Sequence, residues 1–553
     1  MKNFTFMQNN KFLYVILLIL SIPLLLPYIH FGFFPSHDGE WAVVRLTDMY
    51  REIKDLQFPP RYSGNLDFGY GYPLFNFAYP FPYYLSFLFH ILKFNFVDSI
   101  KLLFAITVPL SGVFMYKCAL YLWKNKYAAF FSALLYIYLP YRLVDLFVRG
   151  SIGESIAFAL YPMLFYAIFG YLQSKKRIYG IFFSILLAIL VTTHNIMAVY
   201  FIPFIIGFYI YLYFTNKKEL VSFTLYILLG ICLSTFFWLP ALYEKQYIQL
   251  SVIPIADRTI NFVTPYQLII PKIGYGVPNL PDGFSYQIGF AQLLLFILII
   301  VFLLRSLFSK KQKQIKNFTF ISIFSIIAVF YTSLLFSPSN FFWEHAPLFK
   351  EINYPWTLLL PIGFLICLLT GYIYSFSKYT AYTIAILSIV TVFFYLPYAN
   401  PVSYVNRGDF YYLTNDATTT SSSEYTPLWV KEKPLKRPDI KVYSLTKNTT
   451  FSNIVFNSKK ISFDSYAQES STIIINTIYY PGWHLIIDGV ETHIGIVNPQ
   501  GTMSIIIPSG THHIMGIFKE TPLRLFSDII SLVAVIITVV CLAFFLLRSK
   551  NDK

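Results

Sequence analysis

The stretch Ser36-His37-Asp38-Gly39-Glu40-Trp41 puts two carboxylates and an imidazole just beyond an apolar block, Phe12 to Ile29. Ionisable groups at a membrane boundary are expensive to desolvate, and such positions are often functional. Asp38 has the chemistry of a general base toward an acceptor hydroxyl. Asp38 or Glu40 could equally hold a divalent cation, Mg²⁺ or Mn²⁺, against a phosphate. The plainer role for Asp38 is N-cap of the helix that follows, where Asp is favoured. The two roles are compatible.

A second stretch, Arg149-Gly150-Ser151-Ile152-Gly153-Glu154, sets a guanidinium and a carboxylate at another block boundary. The planar fork of Arg bonds two phosphate oxygens at once. The alternative is an Arg–Glu pair tying two helix ends, or Glu154 favouring a helix N-terminus electrostatically. His194-Asn195 lies between two apolar blocks, where a helix–helix hydrogen bond is the commoner role. The loop from Ser337 to Trp356 is aromatic, with Trp343, Tyr354 and Trp356 suited to an interfacial belt. Its Glu344, His345, Lys350 and Glu351 add more charge than a belt needs, which also suits a sugar or a lipid head. Gly69-Tyr70-Gly71-Tyr72 has no strand-then-helix context for a nucleotide loop. No Walker sequence, redox cysteine pair or Ser/His/Asp spacing is present, so neither a nucleotide nor a redox cofactor is expected.

Apolar blocks must position these residues. The 553-residue chain is 56% hydrophobic and only 12% charged, against about 25% charged in soluble domains. Blocks of about 18 to 23 apolar residues match a hydrocarbon layer of roughly 30 Å. Twelve spans are expected, near 12–30, 99–122, 127–146, 151–173, 178–193, 196–214, 220–241, 288–308, 318–336, 356–376, 380–398 and 524–547. Residues 81–92 are apolar but short. A crossing there would put the later basic clusters on the wrong side, so a re-entrant or interfacial segment is expected, within a total of 12 to 13 spans.

The net charge of +15 comes largely from clusters beside these blocks: Lys175-Lys176-Arg177, Lys217-Lys218, Lys310-Lys311 with Lys313 and Lys316, and Arg548 to Lys553. That pattern orients helices and does not indicate nucleic acid. It places both termini in the cytoplasm, and loops 31–98, 147–150, 242–287 and 337–355 and the segment 399–523 outside. The four cysteines, Cys118, Cys232, Cys367 and Cys541, all lie in apolar blocks, so no disulfide framework or zinc spacing exists. The first block lacks a small-residue cleavage site and reads as a retained span.

Within loop 31–98, Leu46, Met49, Tyr50, Ile53 and Leu56 recur at helical spacing, with Arg45, Asp48, Arg51, Glu52 and Asp55 between them. The pattern predicts an amphipathic helix on the membrane surface, ended by Phe58-Pro59-Pro60. Residues 399–523 change character. After a Thr/Ser run at Thr418 to Ser423, the stretches Thr472 to Tyr479, His484 to Ile487, Met503 to Ile507 and His513 to Phe518 are separated by Gly, Pro and Asn turn signals. They predict a small antiparallel β domain. The expected organisation is a transmembrane module at 1–398, an extracytoplasmic β-rich domain at 399–523, and a last helix with a basic tail at 524–553.

The stretch Ser36 to Tyr84 resembles a family of bacterial multi-pass proteins labelled 6-pyruvoyl-tetrahydropterin synthase-related, close to the YfhO-like proteins and to glycosyltransferases of the GT-C superfamily. The resemblance rests on Ser36-His37-Asp38-Gly39-Glu40, Phe58-Pro59-Pro60-Arg61 and Phe68 to Phe77. It extends to Arg149-Gly150 with Glu154, His194-Asn195, Ser337-Pro338 through Trp343 to Tyr354-Pro355-Trp356, and Tyr480-Pro481-Gly482-Trp483 with Asp488-Gly489. It implies transfer of a sugar from a polyprenyl-phosphate carrier in the bilayer to an extracytoplasmic glycan or glycolipid of the cell envelope. It implies catalytic Asp38 and Glu40, and His37, Arg149, Glu154, His194, Glu344, Tyr354 and Trp356 on the substrate side. Two departures stand out: Gly39 separates the two acids, and Thr357 stands where the family resemblance calls for Arg. The label's pterin chemistry has no counterpart here, since no three-His zinc spacing occurs. A lipid or polysaccharide transporter, or an envelope-assembly scaffold, would share the many spans. Convergence of Asp38, Arg149, Glu154 and the 337–356 loop is the feature that separates an enzyme from a scaffold.

Overall fold

The computed structural model describes residues 11–272, 285–307, 317–420 and 422–551. The basic cluster at Lys310, Lys311, Lys313 and Lys316, Ser421 of the Thr/Ser run and the last two residues of the tail lie outside the described residues.

Each of the twelve apolar stretches is helical. Seven are single helices long and apolar enough to cross a membrane: Lys11–Ile29, Phe96–Trp123, Ile152–Ser174, Asn195–Thr215, Pro355–Tyr374, Lys378–Ala399 and Pro522–Phe545. Three more are bent pairs, Lys126–Ile137 with Pro140–Arg149 (41°), Lys217–Leu233 with Thr235–Tyr247 (68°), and Phe318–Ser333 with Ser337–His345 (101°). Arg177–Thr193 and Phe290–Ser306 are shorter. The chain is a multi-pass membrane protein. The helix Leu359–Tyr374 is buried along nearly all its length and forms the middle of the module. Beside it, Phe165 meets Phe204, Phe208, Phe324 and Phe364 edge-to-face at centroid distances of 4.8 to 5.4 Å. That geometry suits ring quadrupoles. The last helix, by contrast, exposes most of its apolar surface at the periphery, as expected where hydrocarbon is the solvent. The 81–92 segment forms the helix Phe81–Ile91. Eleven residues rise only about 16 Å, too little to cross the hydrocarbon alone.

The β domain is a sandwich of two antiparallel sheets, ordered β1-β4-β7 and β2-β3-β8-β5-β6. Its strands are β1 Val442–Ser444, β2 Thr449–Phe456, β3 Lys460–Ala467, β4 Ser471–Ile478, β5 Trp483–Ile487, β6 Val490–Thr492, β7 Thr502–Ile507 and β8 Gly510–Phe518. Alternation drives the packing: Ile461, Phe463 and Ala467 of β3 point inward with Ile514 of β8, against Ile473, Ile475 and Ile505 of the other sheet. The four strands expected from the sequence correspond to β4, β5, β7 and β8. Residues 399–441 precede the strands and run over the first loop. Val405 and Phe33 exchange backbone hydrogen bonds of 2.8 and 3.0 Å, and Arg45 donates to the Thr419 hydroxyl at 3.1 Å.

The amphipathic helix spans Gly39–Lys54. Its expected solvent-facing side is not solvent-facing. Asp48 and Glu52 are each 1% exposed. The β domain covers them: the Ser458 N–H donates to Asp55 at 2.9 Å, and Gln57 holds the backbone N–H groups of Arg61 and Tyr62 beside Ser458. Two ion-pair knots fasten the last helix to the rest. Glu244 accepts Arg524 Nε and Nη2 at 2.8 and 2.7 Å, and the Asn76 amide and Tyr480 hydroxyl at 2.9 Å each. Arg61 donates to Asp528, Glu520 and the Phe236 carbonyl at 2.9, 3.3 and 2.7 Å.

Candidate functional site

Asp38 stands at the N-cap of the helix Gly39–Lys54 but makes no side-chain cap hydrogen bond. Ser36 does part of that work instead, its hydroxyl accepting the Gly39 N–H at 3.2 Å. The Asp38 carboxylate is therefore left uncommitted. Among the described residues it accepts no hydrogen bond and closes no ion pair. It is half-buried, and its neighbour His37 is exposed.

The two motifs are locked together through the backbone. The His37 N–H donates to the Val148 carbonyl at 3.0 Å and the Asp38 N–H to the Arg149 carbonyl at 2.8 Å. Gly150 permits this approach. It has φ +63°, and a Cβ there would lie 2.5 Å from the Ser36 hydroxyl and 2.8 Å from the Gly39 nitrogen.

Arg149 is the centre of the polar network. Its Nη1 donates to Glu154, and to the Tyr141 hydroxyl at 3.1 Å. Asp145 lies 3.6 Å from the same nitrogen. The guanidinium stacks over Trp356 at 4.7 Å, a cation–π contact. Glu154 also accepts the Tyr141 hydroxyl at 2.7 Å. His194 caps the helix Asn195–Thr215, its Nδ1 accepting the Met197 N–H at 3.3 Å. That leaves the ring proton on Nε2, which lies 3.7 Å from Glu154. So the Arg–Glu pair is present, and His194 caps its own helix where a bond between two helices was expected; both belong to one cluster. Arg149 Nη2 and Nε make no hydrogen bond among the described residues.

Tyr354 and Trp356 complete the wall, with rings 5.4 Å apart. The charge of Asp38 acts on the hydroxyls of Tyr79, Tyr83 and Tyr354 and on the Arg149 guanidinium. Tyr79 stacks on His194 at 5.3 Å. Tyr79, Tyr83, Tyr141 and Asp145 were not singled out as site residues from the sequence. Their signal was the continuation of the Phe68–Phe77 motif into Tyr79 and Tyr83, and a charge, Asp145, inside an apolar block.

The remaining candidates separate from this group. Glu40 accepts Arg407 at 2.6 Å and the Tyr412 hydroxyl at 3.0 Å, so its charge is already answered by the 399–441 segment. Glu344 is exposed and accepts the Asn340 amide at 2.6 Å on its own short helix. Among the described residues no three His, Cys, Asp or Glu side chains group as metal ligands.

No family model matches the chain. An uncharacterized protein of Lactococcus lactis subsp. cremoris (strain MG1363) is 23% identical over 250 residues, 43% of this chain and 40% of that protein. Among solved structures, the chain is similar to the archaeal oligosaccharyltransferase AglB from Archaeoglobus fulgidus in complex with an inhibitory peptide and a dolichol-phosphate. The TM-score is 0.46 at 13% identity, over 75% of this chain and 60% of that one. A structure of the Archaeoglobus fulgidus oligosaccharyltransferase with zinc and sulfate gives a TM-score of 0.40 at 13% identity, over 75% and 58%. The chain thus spans less than two thirds of each of these proteins.

Proposed function

We propose that the protein is a membrane glycosyltransferase of the GT-C type, moving a sugar from a polyprenyl-phosphate carrier to a hydroxylated acceptor of the cell envelope on the outer face of the membrane. One observation carries the reading. An uncommitted, half-exposed carboxylate, Asp38, is pinned by its own backbone to Arg149, whose guanidinium keeps Nη2 and Nε without a hydrogen bond among the described residues. The motif resemblance around Ser36 to Tyr84 and Arg149-Gly150 supports it.

In this reading the carrier phosphate meets the open edge of Arg149, which Glu154 and Trp356 hold in place. Asp38 takes the proton of the acceptor hydroxyl. The new bond forms from that oxygen to the anomeric carbon, and the bond from that carbon to the phosphate oxygen breaks. Polyprenyl phosphate leaves with the electron pair, its charge answered by Arg149. Tyr354, Trp356 and Tyr79 offer ring faces to the sugar. Glu40 has a positioning role through Arg407. A Mg²⁺ or Mn²⁺ ion brought with the phosphate would find Asp38 as its protein ligand, since Mg²⁺ is commonly held by one or two carboxylates and substrate oxygens.

The test is transfer of labelled sugar from a polyprenyl-phosphate donor in membranes carrying wild type or Asp38→Asn. Transfer by the wild type and none by an equally abundant variant supports the reading. Equal transfer by both removes Asp38 from the mechanism. A lipid-transporter reading draws on the three bent helix pairs, since broken helices mark many transporters. Movement of labelled carrier across vesicles without sugar transfer would favour it.

A further inference from the structure

A second polar cavity lies under the far end of the helix Gly39–Lys54, between that helix and the β domain. Its volume is about 310 Å³, at the lower end of the 300–1,000 Å³ typical of small-molecule pockets. Arg437 and Asn457 rim it from exposed positions, and Tyr62, Trp483 and Phe456 give it aromatic surface.

Buried polar groups are nearly always satisfied. Here a concentration of them is not. All four carboxylate oxygens of Asp48 and Glu52 lack a hydrogen-bond partner, and so do Arg51 Nη1, the Ser63 and Thr477 hydroxyls and Trp483 Nε1. Ser63 stands near both acids, Asn65 near Asp48 and Trp483 near the Tyr62 hydroxyl, close enough to interact but outside hydrogen-bond geometry. Other lining groups are already used: Lys441 Nζ donates to the carbonyls of Gly69 and Asn476 at 2.9 and 2.7 Å. Arg51 Nη1 and Asp48 Oδ1 stand 3.7 Å apart, an ion pair outside hydrogen-bond contact. The groups without a hydrogen bond are therefore of both kinds, acceptors from the two acids and donors from Arg51, Thr477 and Trp483. A metal ion would answer the acceptors and leave the donors. A hydroxyl group both donates and accepts, and a ring of hydroxyls over an aromatic face answers both sets.

We propose that this cavity binds a hydroxylated sugar residue, held by Asp48 and Glu52 as acceptors and by Arg51, Thr477 and Trp483 as donors. Resting on the glycosyltransferase reading, the sugar is part of the acceptor. Ten residues of one helix separate Asp38 from Asp48, about 15 Å, so an acceptor chain held at Asp48 reaches back toward Asp38. Burial drives the Asp48 carboxyl up to about 7 and the Glu52 carboxyl well above its usual range.

The experiment uses the full chain in detergent. The probes are the methyl glycosides of glucose, galactose, mannose and N-acetylglucosamine, and chitotriose, read by saturation-transfer NMR and by melting temperature. Saturable binding of at least one probe is expected. It should weaken about tenfold or more in Glu52→Gln, which replaces one of the two acceptor oxygens with an amide that can only donate, and persist in Asp38→Asn. Arg51→Met, a half-exposed position, gives the same reading if Glu52→Gln does not fold. Binding without transfer would fail the enzyme reading alone. No saturable binding by any probe, or equal binding by wild type and both variants, overturns the sugar site. Stabilisation by Ca²⁺ that is lost in Glu52→Gln, with no sugar response, replaces it with a cation site.

Discussion

Two acid–base meetings in this chain use the same residue types for opposite ends. At Glu244, the carboxylate accepts both forks of Arg524, the Asn76 amide and the Tyr480 hydroxyl, and Arg524 lies between the rings of Tyr480 and Phe518. No acceptor capacity is left for a substrate. At Asp38, the backbone is tied down and the carboxylate is not, while Arg149 is gripped on one edge and open on the other. A buried carboxylate whose acceptor positions are all taken holds two elements together. A positioned, unsaturated pair is what chemistry needs, because its interactions remain to be made in the transition state.

The sharpest way to break that contrast is Asp38→Asn. The shape is conserved and the proton acceptor is lost, so transfer should fall by about a thousandfold, with the melting temperature unchanged because no protein hydrogen bond is removed. Glu244→Gln should do the converse. Removing one charge of a buried pair costs about 3–5 kcal/mol, read as a fall in melting temperature in detergent. Residual folded enzyme should transfer at the wild-type rate per molecule.

Asp48 and Glu52 offer a third case: burial without hydrogen bonds, with Arg51 at 3.7 Å from Asp48 as the one cation paired to them among the described residues. Their carboxyls titrate higher folded than unfolded, so the folded state holds more protons and stability falls as pH rises. For Asp48 the window runs from its unfolded value of 3.8 to about 7. Between pH 5 and 7 the loss should be roughly 2 kcal/mol, flattened in Asp48→Asn. Above pH 7, Lys441, lowered by burial to about 7, works in the opposite direction. Melting curves should therefore be compared below pH 7.

The helical module was readable from sequence because hydrocarbon thickness imposes a length, and each apolar stretch became a helix. The Asp38 and Arg149 motifs were readable because each is local, six residues or fewer. The bends were not, since they depend on neighbouring helices. Asp48 and Glu52 were misplaced on a solvent face, because the strands that cover them lie some 400 residues downstream. One signal was available: like charges at i and i+4 are unfavourable on a helix, and a plain surface helix has no reason to keep them. Strands β2 and β3 went unrecognised because β2 is largely exposed and β3 carries Asp464 and Ser465 between its apolar residues.

Smaller effects sharpen the comparison within the site. Arg149→Lys keeps the charge and loses the fork, so transfer should drop about tenfold, mainly as a higher KM for the carrier-linked sugar. Loss in kcat alone would move Arg149 from binding to the chemical step.

Glu40→Gln should show the smallest effect, and it tests a distinction the sequence does not make. Asp38 and Glu40 are two residues apart with the same functional group. In the fold only Asp38 is uncommitted, while Glu40 faces Arg407 and Tyr412. That pair is half-exposed on both sides, and exposed pairs contribute at most about 1 kcal/mol. A Gln there still accepts the Tyr412 hydroxyl and one Arg407 hydrogen bond. Transfer should fall less than about fivefold, with kcat and KM sharing the loss and a shift of the 399–441 segment as its cause. If Glu40→Gln instead matched Asp38→Asn, the two carboxylates would act as one unit, and the Arg407 pair would be a resting arrangement that opens when substrate arrives.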